Sequence, residues 1–155
     1  MKGIVIDAQQ QTFRYVEWQE GDVPKYTGGS LTLAFNYPRN DPPQSMFWAD
    51  VVYCDDEGLM KPYDYFFRTR SRRLDDQPIP GMGFVTGPDI VDDKGDYIRS
   101  ADPQVTIAQL EKDIEFLTRA QFVAWIKAKK DEPSISVNDM PYAFWRDYLL
   151  PEERD

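Results

Sequence analysis

Apolar and polar residues alternate over most of the first hundred positions, then recur at three- and four-residue intervals over the last fifty. Leu31, Leu33, Phe35 and Tyr37 alternate with Thr32, Ala34 and Asn36, the period of a strand with one buried face. Ile4-Val5-Ile6 within Gly3–Asp7 reads as a short buried strand. Thr12–Trp18 reads as its hairpin partner across a turn at Asp7-Ala8-Gln9-Gln10. Three prolines make 38–44 a loop. Met46–Cys54 is expected to be a strand, with Phe47, Ala49, Val51 and Tyr53 on one face. In Asp55-Asp56-Glu57-Gly58 the carboxylates suit turn amides and the glycine suits a positive φ. Tyr63–Thr69 and Gly81–Gly87 follow as strands around a loop at 75–80, the second with close backbone packing at its glycines. Asp92-Asp93-Lys94-Gly95 predicts a further hairpin turn before a strand at 96–99.

The period changes at Thr106. Ile107, Leu110, Ile114 and Leu117 have helical spacing, and Phe122 and Ile126 continue it. Thr106 with Gln109, and Thr118 with Gln121, have the spacing of capping boxes, which predicts two helices at about 107–117 and 119–130. Pro133 ends the second. Asn138-Asp139-Met140-Pro141 reads as the start of a third, carrying Tyr142, Trp145 and Leu149. The fold class expected is α+β: a mainly antiparallel sheet over about residues 3–100, followed by two to three C-terminal helices. One domain is expected over 1–155, strand-rich over 1–105 and helical over 106–155; 155 residues suffice for one core.

Composition narrows the chemistry. The chain has no histidine, and Cys54 is its only cysteine. Imidazole catalysis, an intrachain disulfide and the usual zinc sites are therefore outside its means. Cys54 has no basic neighbour in sequence to activate it. The net charge of −9 is spread along the chain: −2 over residues 1–54, −4 over 55–105 and −3 over 106–155. Such a field repels nucleic acid and anionic membranes and favours basic partners. No apolar run approaches the roughly 18 residues of a membrane span. Met1–Asp7 lacks a secretory apolar stretch, so a cytoplasmic protein is expected.

Several segments share a rhythm. Val51–Lys61 contains Asp55-Asp56-Glu57-Gly58-Leu59-Met60-Lys61. Tyr65-Phe66-Phe67-Arg68, then Pro80-Gly81-Met82-Gly83-Phe84-Val85-Thr86-Gly87, then the turn at Asp92–Gly95 come after it. Together with Met1–Asp7, these resemble a family of small domains carried by phages, plasmids and other mobile elements. In that family a "YVDDEGLLK" hairpin precedes an "FF" strand and a "P-x-x-G-x-G-x-V-x-G" segment. The resemblance covers about 50 central residues and the first strand; the Pro-rich loop at 38–44 and the aromatic C-terminal tail depart from it. The family has no established activity, so no site residues carry over. What the resemblance implies is context, a mobile-element accessory protein.

Three groups are candidates for function. Arg68, Arg70 and Arg72 alternate on one strand face beside Arg73, a forked-donor set that suits a phosphate or carboxylate; the same pattern suits a solvated strand face. Asp89, Asp92, Asp93 and Asp96 form an acidic cluster, as do Asp55, Asp56 and Glu57. Neither has the spacing of a calcium loop, and turn chemistry accounts for both, so no metal is expected. Thr27-Gly28-Gly29-Ser30 precedes a strand, the wrong order for a phosphate loop. Asp113 and Glu115 read as a solvated helix face. Tyr142, Phe144, Trp145 and Tyr148 cannot all face one core from a single helix, which leaves rings for a protein partner or a homodimer seam.

The function expected is a non-catalytic acidic interaction protein, without a cofactor, whose partner is a protein with a basic surface. In the mobile-element context that partner is a host nucleic-acid-handling defence complex, with no direct nucleic-acid binding and no membrane contact by this chain. The alternative is a small enzyme or ligand-binding domain that holds a phosphorylated substrate or nucleotide through the arginines.

Overall fold

Alternation and helical spacing become strands and helices in an order that brings distant segments together. The computed structural model describes residues 1–29, 31–37, 50–70, 77–131 and 140–154. The elements are β1 (Lys2–Asp7), β2 (Thr12–Glu17), α1 (Val23–Thr27), β3 (Leu31–Tyr37), β4 (Asp50–Asp55), β5 (Tyr65–Thr69) and β6 (Ile79–Pro80). They continue as β7 (Met82–Thr86), β8 (Asp89–Val91), β9 (Tyr97–Ser100), α2 (Ile107–Asp113), β10 (Ile114–Thr118), α3 (Arg119–Ala128) and α4 (Tyr142–Trp145). Single 3-10 turns lie at Gly58–Met60, Arg146–Tyr148 and Pro151–Glu153.

The strands form a five-stranded sheet ordered β2-β1-β7-β4-β3, a three-stranded sheet ordered β10-β5-β6, and a separate β8-β9 ribbon. Every pairing is antiparallel. The chain is therefore α+β and mainly sheet.

Burial explains the layering. β1, β4 and β7 are the central strands of the larger sheet and are buried on both faces. On one face Ile4, Ile6, Val52, Cys54 and Val85 meet Phe67, Ile79 and Ile114 of the smaller sheet, with Leu110 of α2. On the other face Val5 and Phe84 pack with Trp18 and Val23, beside Tyr26 of α1. Tyr26 stacks on Phe84 with ring centroids 4.9 Å apart. The far side of the smaller sheet, Phe66 and Leu117, is covered by Phe122 and Ile126 of α3 and by Trp145 and Leu149. Phe66 and Phe122 stack at 4.2 Å. Each such ring, removed from water, contributes about 2 kcal/mol.

Both capping boxes form. Thr106 accepts from the Gln109 amide, Thr118 accepts from the Gln121 amide, and each glutamine reaches back to the cap's own N–H. The helix expected over 107–117 is corrected, however: it ends at Asp113, and Ile114–Thr118 is a strand. Ile114 and Leu117 lie an odd number of residues apart, so a strand sends them to opposite faces. Each face here is apolar, since Ile114 joins the core between the sheets and Leu117 the core under α3. Spacing of three therefore fits a doubly buried strand as well as a helix. α1 is a short helix that the pattern of 19–30 did not announce.

Gly58 is also corrected. It has no positive φ; a Cβ there would lie 2.6 Å from Pro80 Cγ, so close packing excludes a side chain. The Pro-rich loop at 38–44, the first part of the strand expected from Met46, and Asn138 and Asp139 lie outside the described residues. Among the described residues no helix is long and apolar enough to cross a membrane.

Candidate functional site

The β8-β9 ribbon buries little of its side chains: of its seven strand residues Ser100 alone is buried. Val91, Tyr97 and Ile98 are exposed, Ile98 at 56%. Tyr97 and Ile98 are adjacent in one strand and so point to opposite faces; both faces of the ribbon are open. A lone two-stranded ribbon is marginal in water. This one is held at its base, where Gly87 N–H donates to Ala101 O at 3.1 Å and Ala101 N–H donates to Pro88 O at 2.8 Å. Tyr97 Oη also lies 3.1 Å from Ser100 Oγ and 3.9 Å from Met1 Sδ.

The acidic cluster shapes the tip of this ribbon. Asp92 Oδ1 accepts from the amides of Lys94 and Asp96, each at 2.9 Å, and Gly95 takes φ +85 to close the turn. Asp93 and Asp96 are exposed beside it. Asp89 sits at the base, and burial raises its carboxyl above the ordinary aspartate value. Burial likewise raises the Tyr53 hydroxyl, with the charge of Asp89 adding to it. Residues 89–99 carry four carboxylates against Lys94 and Arg99, so the ribbon is acidic with exposed apolar side chains on both faces.

The aromatic tail is mostly interior. Trp145 is buried and packs edge-on to Trp125 at 4.9 Å and to Phe144 at 5.2 Å. Tyr142 and Tyr148 are half-buried against the same core. Phe144 is the most open of the four, at 37%. Of the tail candidates, Trp145 thus has its ring in the core, and Phe144 alone presents much of a ring to solvent. Arg119 fixes this tail: its guanidinium grips the Glu153 carboxylate through two bonds of 2.9 Å and donates to the carbonyls of Tyr63 and Tyr148. No motif singled out Arg119 or Glu153, because their meeting depends on a tertiary turn.

The arginine cluster is divided. Arg68 is largely buried and paired with Glu115, its cross-strand neighbour on β10. Its Nε–H is therefore engaged inside the chain, and Glu115 is an ion-pair partner in a sheet, not part of a solvated helix face. Arg70 is 56% exposed, 3.9 Å from the same carboxylate. It borders a shallow groove of about 350 Å³ with Phe13, Glu111 and Phe116, where its charge is opposed by Glu111 and Glu115. Arg72 and Arg73 lie outside the described residues.

Of the acids at 55–57, Asp55 is fully buried. It accepts from Lys61 Nζ at 2.5 Å, Tyr63 Oη at 3.2 Å and the Glu57 amide at 3.0 Å. Among the described residues no group of three or more Cys, Asp or Glu is arranged to hold a metal. Burial, with the charges of Asp55 and Asp56 behind it, pushes the Cys54 thiol up to about 11, which keeps it protonated and unreactive at neutral pH.

Comparison with protein-family models, curated proteins and solved structures finds no match. Among the described residues the acidic ribbon brings three exposed apolar side chains, Val91, Tyr97 and Ile98, together with exposed carboxylates.

Proposed function

We propose that this chain is a non-catalytic acidic interaction protein that docks its β8-β9 ribbon onto a basic surface of a protein partner. The observation that supports it is the exposure of Val91, Tyr97 and Ile98 on a ribbon tipped by Asp92, Asp93 and Asp96. Exposed apolar side chains rimmed by charge are the composition of a contact patch. The carboxylates steer a basic partner, and the apolar side chains supply contact that water is driven from. Asp89, partly buried already, gives an arriving cation an interaction that water screens only partly. The mobile-element setting, in which the ribbon fills a basic groove of a host nucleic-acid-handling defence complex and blocks it, belongs to the same proposal. It is supported by the segment resemblance and by the negative field of the chain.

The test is capture from host lysate on the immobilised chain, with a salt gradient for release and nucleic acid as competitor. Capture is expected to weaken with salt, to be displaced by nucleic acid, and to be lost in Asp93→Lys/Asp96→Lys, whose residues are exposed and which leaves the Asp92 turn bonds in place. It should persist in the charge-matched control Glu20→Lys/Glu152→Lys, whose sites are exposed and lie outside the ribbon. High-affinity binding of nucleic acid by the purified chain itself, or equal loss in the control, would overturn the proposal.

A further inference from the structure

At the opposite end of β1 from the ribbon lies a cavity of about 270 Å³. The Lys2 end of β1 touches the ribbon's base, where the Lys2 amide donates to Asp102. The Asp7 end lines the cavity, with Gln9, Thr27, Tyr63, Asp64 and Tyr65 as its other polar walls. Backbone from both sheets and α1 meets here. Gly81 carries the chain from the smaller sheet to the larger: its N–H donates to Tyr65 O at 3.0 Å and its carbonyl accepts from the Ala8 amide at 3.2 Å.

The walls are set in advance. Tyr63 donates to the buried Asp55, which Lys61 also grips, so the ring is held without any ligand. Gly81, at φ +77, gives that ring room; a Cβ there would come within 2.7 Å of Tyr63 Cε1. A site whose groups are already fixed loses little entropy when a ligand arrives.

Charge selects the ligand. The described lining contains two carboxylates, Asp7 and Asp64, and no Lys or Arg. Lys61 stands nearby with its ammonium on Asp55. Arg14, half-exposed, is 3.7 Å from Asp7 Oδ2, a loose contact that a better placed cation can replace. Asp7 Oδ1 accepts from the Gln10 amide, which fixes the carboxylate in place. An anion would meet two carboxylates and no cationic side chain in this described lining. A flat cation can fork onto a carboxylate and lie against a tyrosine ring. The volume is at the lower end for small-molecule sites and suits a head group, not a drug-sized body.

We propose that this cavity binds an alkylguanidinium head, either of a free small molecule or of an arginine side chain presented by a protein. The ribbon takes no part in it, so the two sites stand or fall separately.

The test is a chemical-shift titration of the whole chain with three millimolar probes: agmatine, N-acetyl-arginine methylamide, and the uncharged N-acetyl-citrulline methylamide. Saturable shifts are expected at Asp7, Gln9, Thr27 and Tyr65 with at least one guanidinium probe and not with citrulline. Binding of agmatine alone points to a free small molecule, and binding of the arginine amide to a protein side chain. Asp64 is exposed, so Asp64→Asn leaves folding intact; loss of one charge-assisted contact should weaken binding about tenfold. Glu152→Gln, away from the cavity, should bind as the parent does. Absence of saturable shifts with either guanidinium probe, equal binding of citrulline, or unchanged affinity in Asp64→Asn would overturn the proposal.

Discussion

Asp50 is 1% exposed, and its carboxylate accepts from the Gln104 amide at 2.9 Å and the Val105 amide at 2.7 Å. It ties the start of β4 to the loop that leads into α2. Burial raises its carboxyl above the ordinary value of 3.8 despite those two bonds. Glu153 is the opposite case: the Arg119 guanidinium holds it below its ordinary 4.5. The two groups therefore bend stability against pH in opposite senses. Asp50 contributes fully below its unfolded value, and that contribution is lost as pH rises through its folded value. Glu153 contributes above its unfolded value, and that contribution is lost as pH falls through its folded value. Denaturant unfolding at a series of pH values should show wild-type stability relative to Asp50→Asn falling as pH rises from about 4, and relative to Glu153→Gln falling as pH drops below about 4.5. Asp50→Ala strands the buried Val105 donor and removes the part-buried Gln104 bond, and should cost about 2 kcal/mol at neutral pH. Neither residue was legible in the sequence as a structural group. Asp50 read as one position in an alternating strand, and its partners lie more than fifty positions away.

At the scale of elements, the readable features were those settled within a few residues. The Thr106 and Thr118 boxes and the turn closed by Gly95 depend on neighbours three or four positions apart, and the first hairpin on pairs five to fifteen apart. The Thr118 box carries added weight because it starts α3 directly at the end of β10, with no loop between. Thr118→Ala should lower stability by about 1 kcal/mol in denaturant unfolding, and Thr118→Ser should retain most of it. β10 was misread because its two apolar faces belong to two different cores, and a one-dimensional pattern carries no label for which core a residue joins. Arg68 shows the same limit. Its alternation with Arg70 places it on a strand, as the structure has it, but the helical spacing around Glu115 hides the strand that lies across from it. The anion site expected there is thus occupied in part by an internal carboxylate.

At the scale of the molecule, two stacked sheets between helices bury or half-bury most of the described aromatic residues, including three of the four tail rings expected to face a partner or a second copy. Apolar side chains uncovered on both faces remain on the acidic ribbon. The central claim, that the ribbon docks on a basic partner, is tested most directly by the kinetics of binding to the captured partner at low salt. Long-range charge acts on encounter and desolvated contact acts on lifetime. Asp93→Lys/Asp96→Lys should slow association about tenfold or more with a smaller change in dissociation. Ile98→Ser should speed dissociation and leave association close to wild type. Rates equal to wild type in both variants would contradict the account and place the contact elsewhere on the chain.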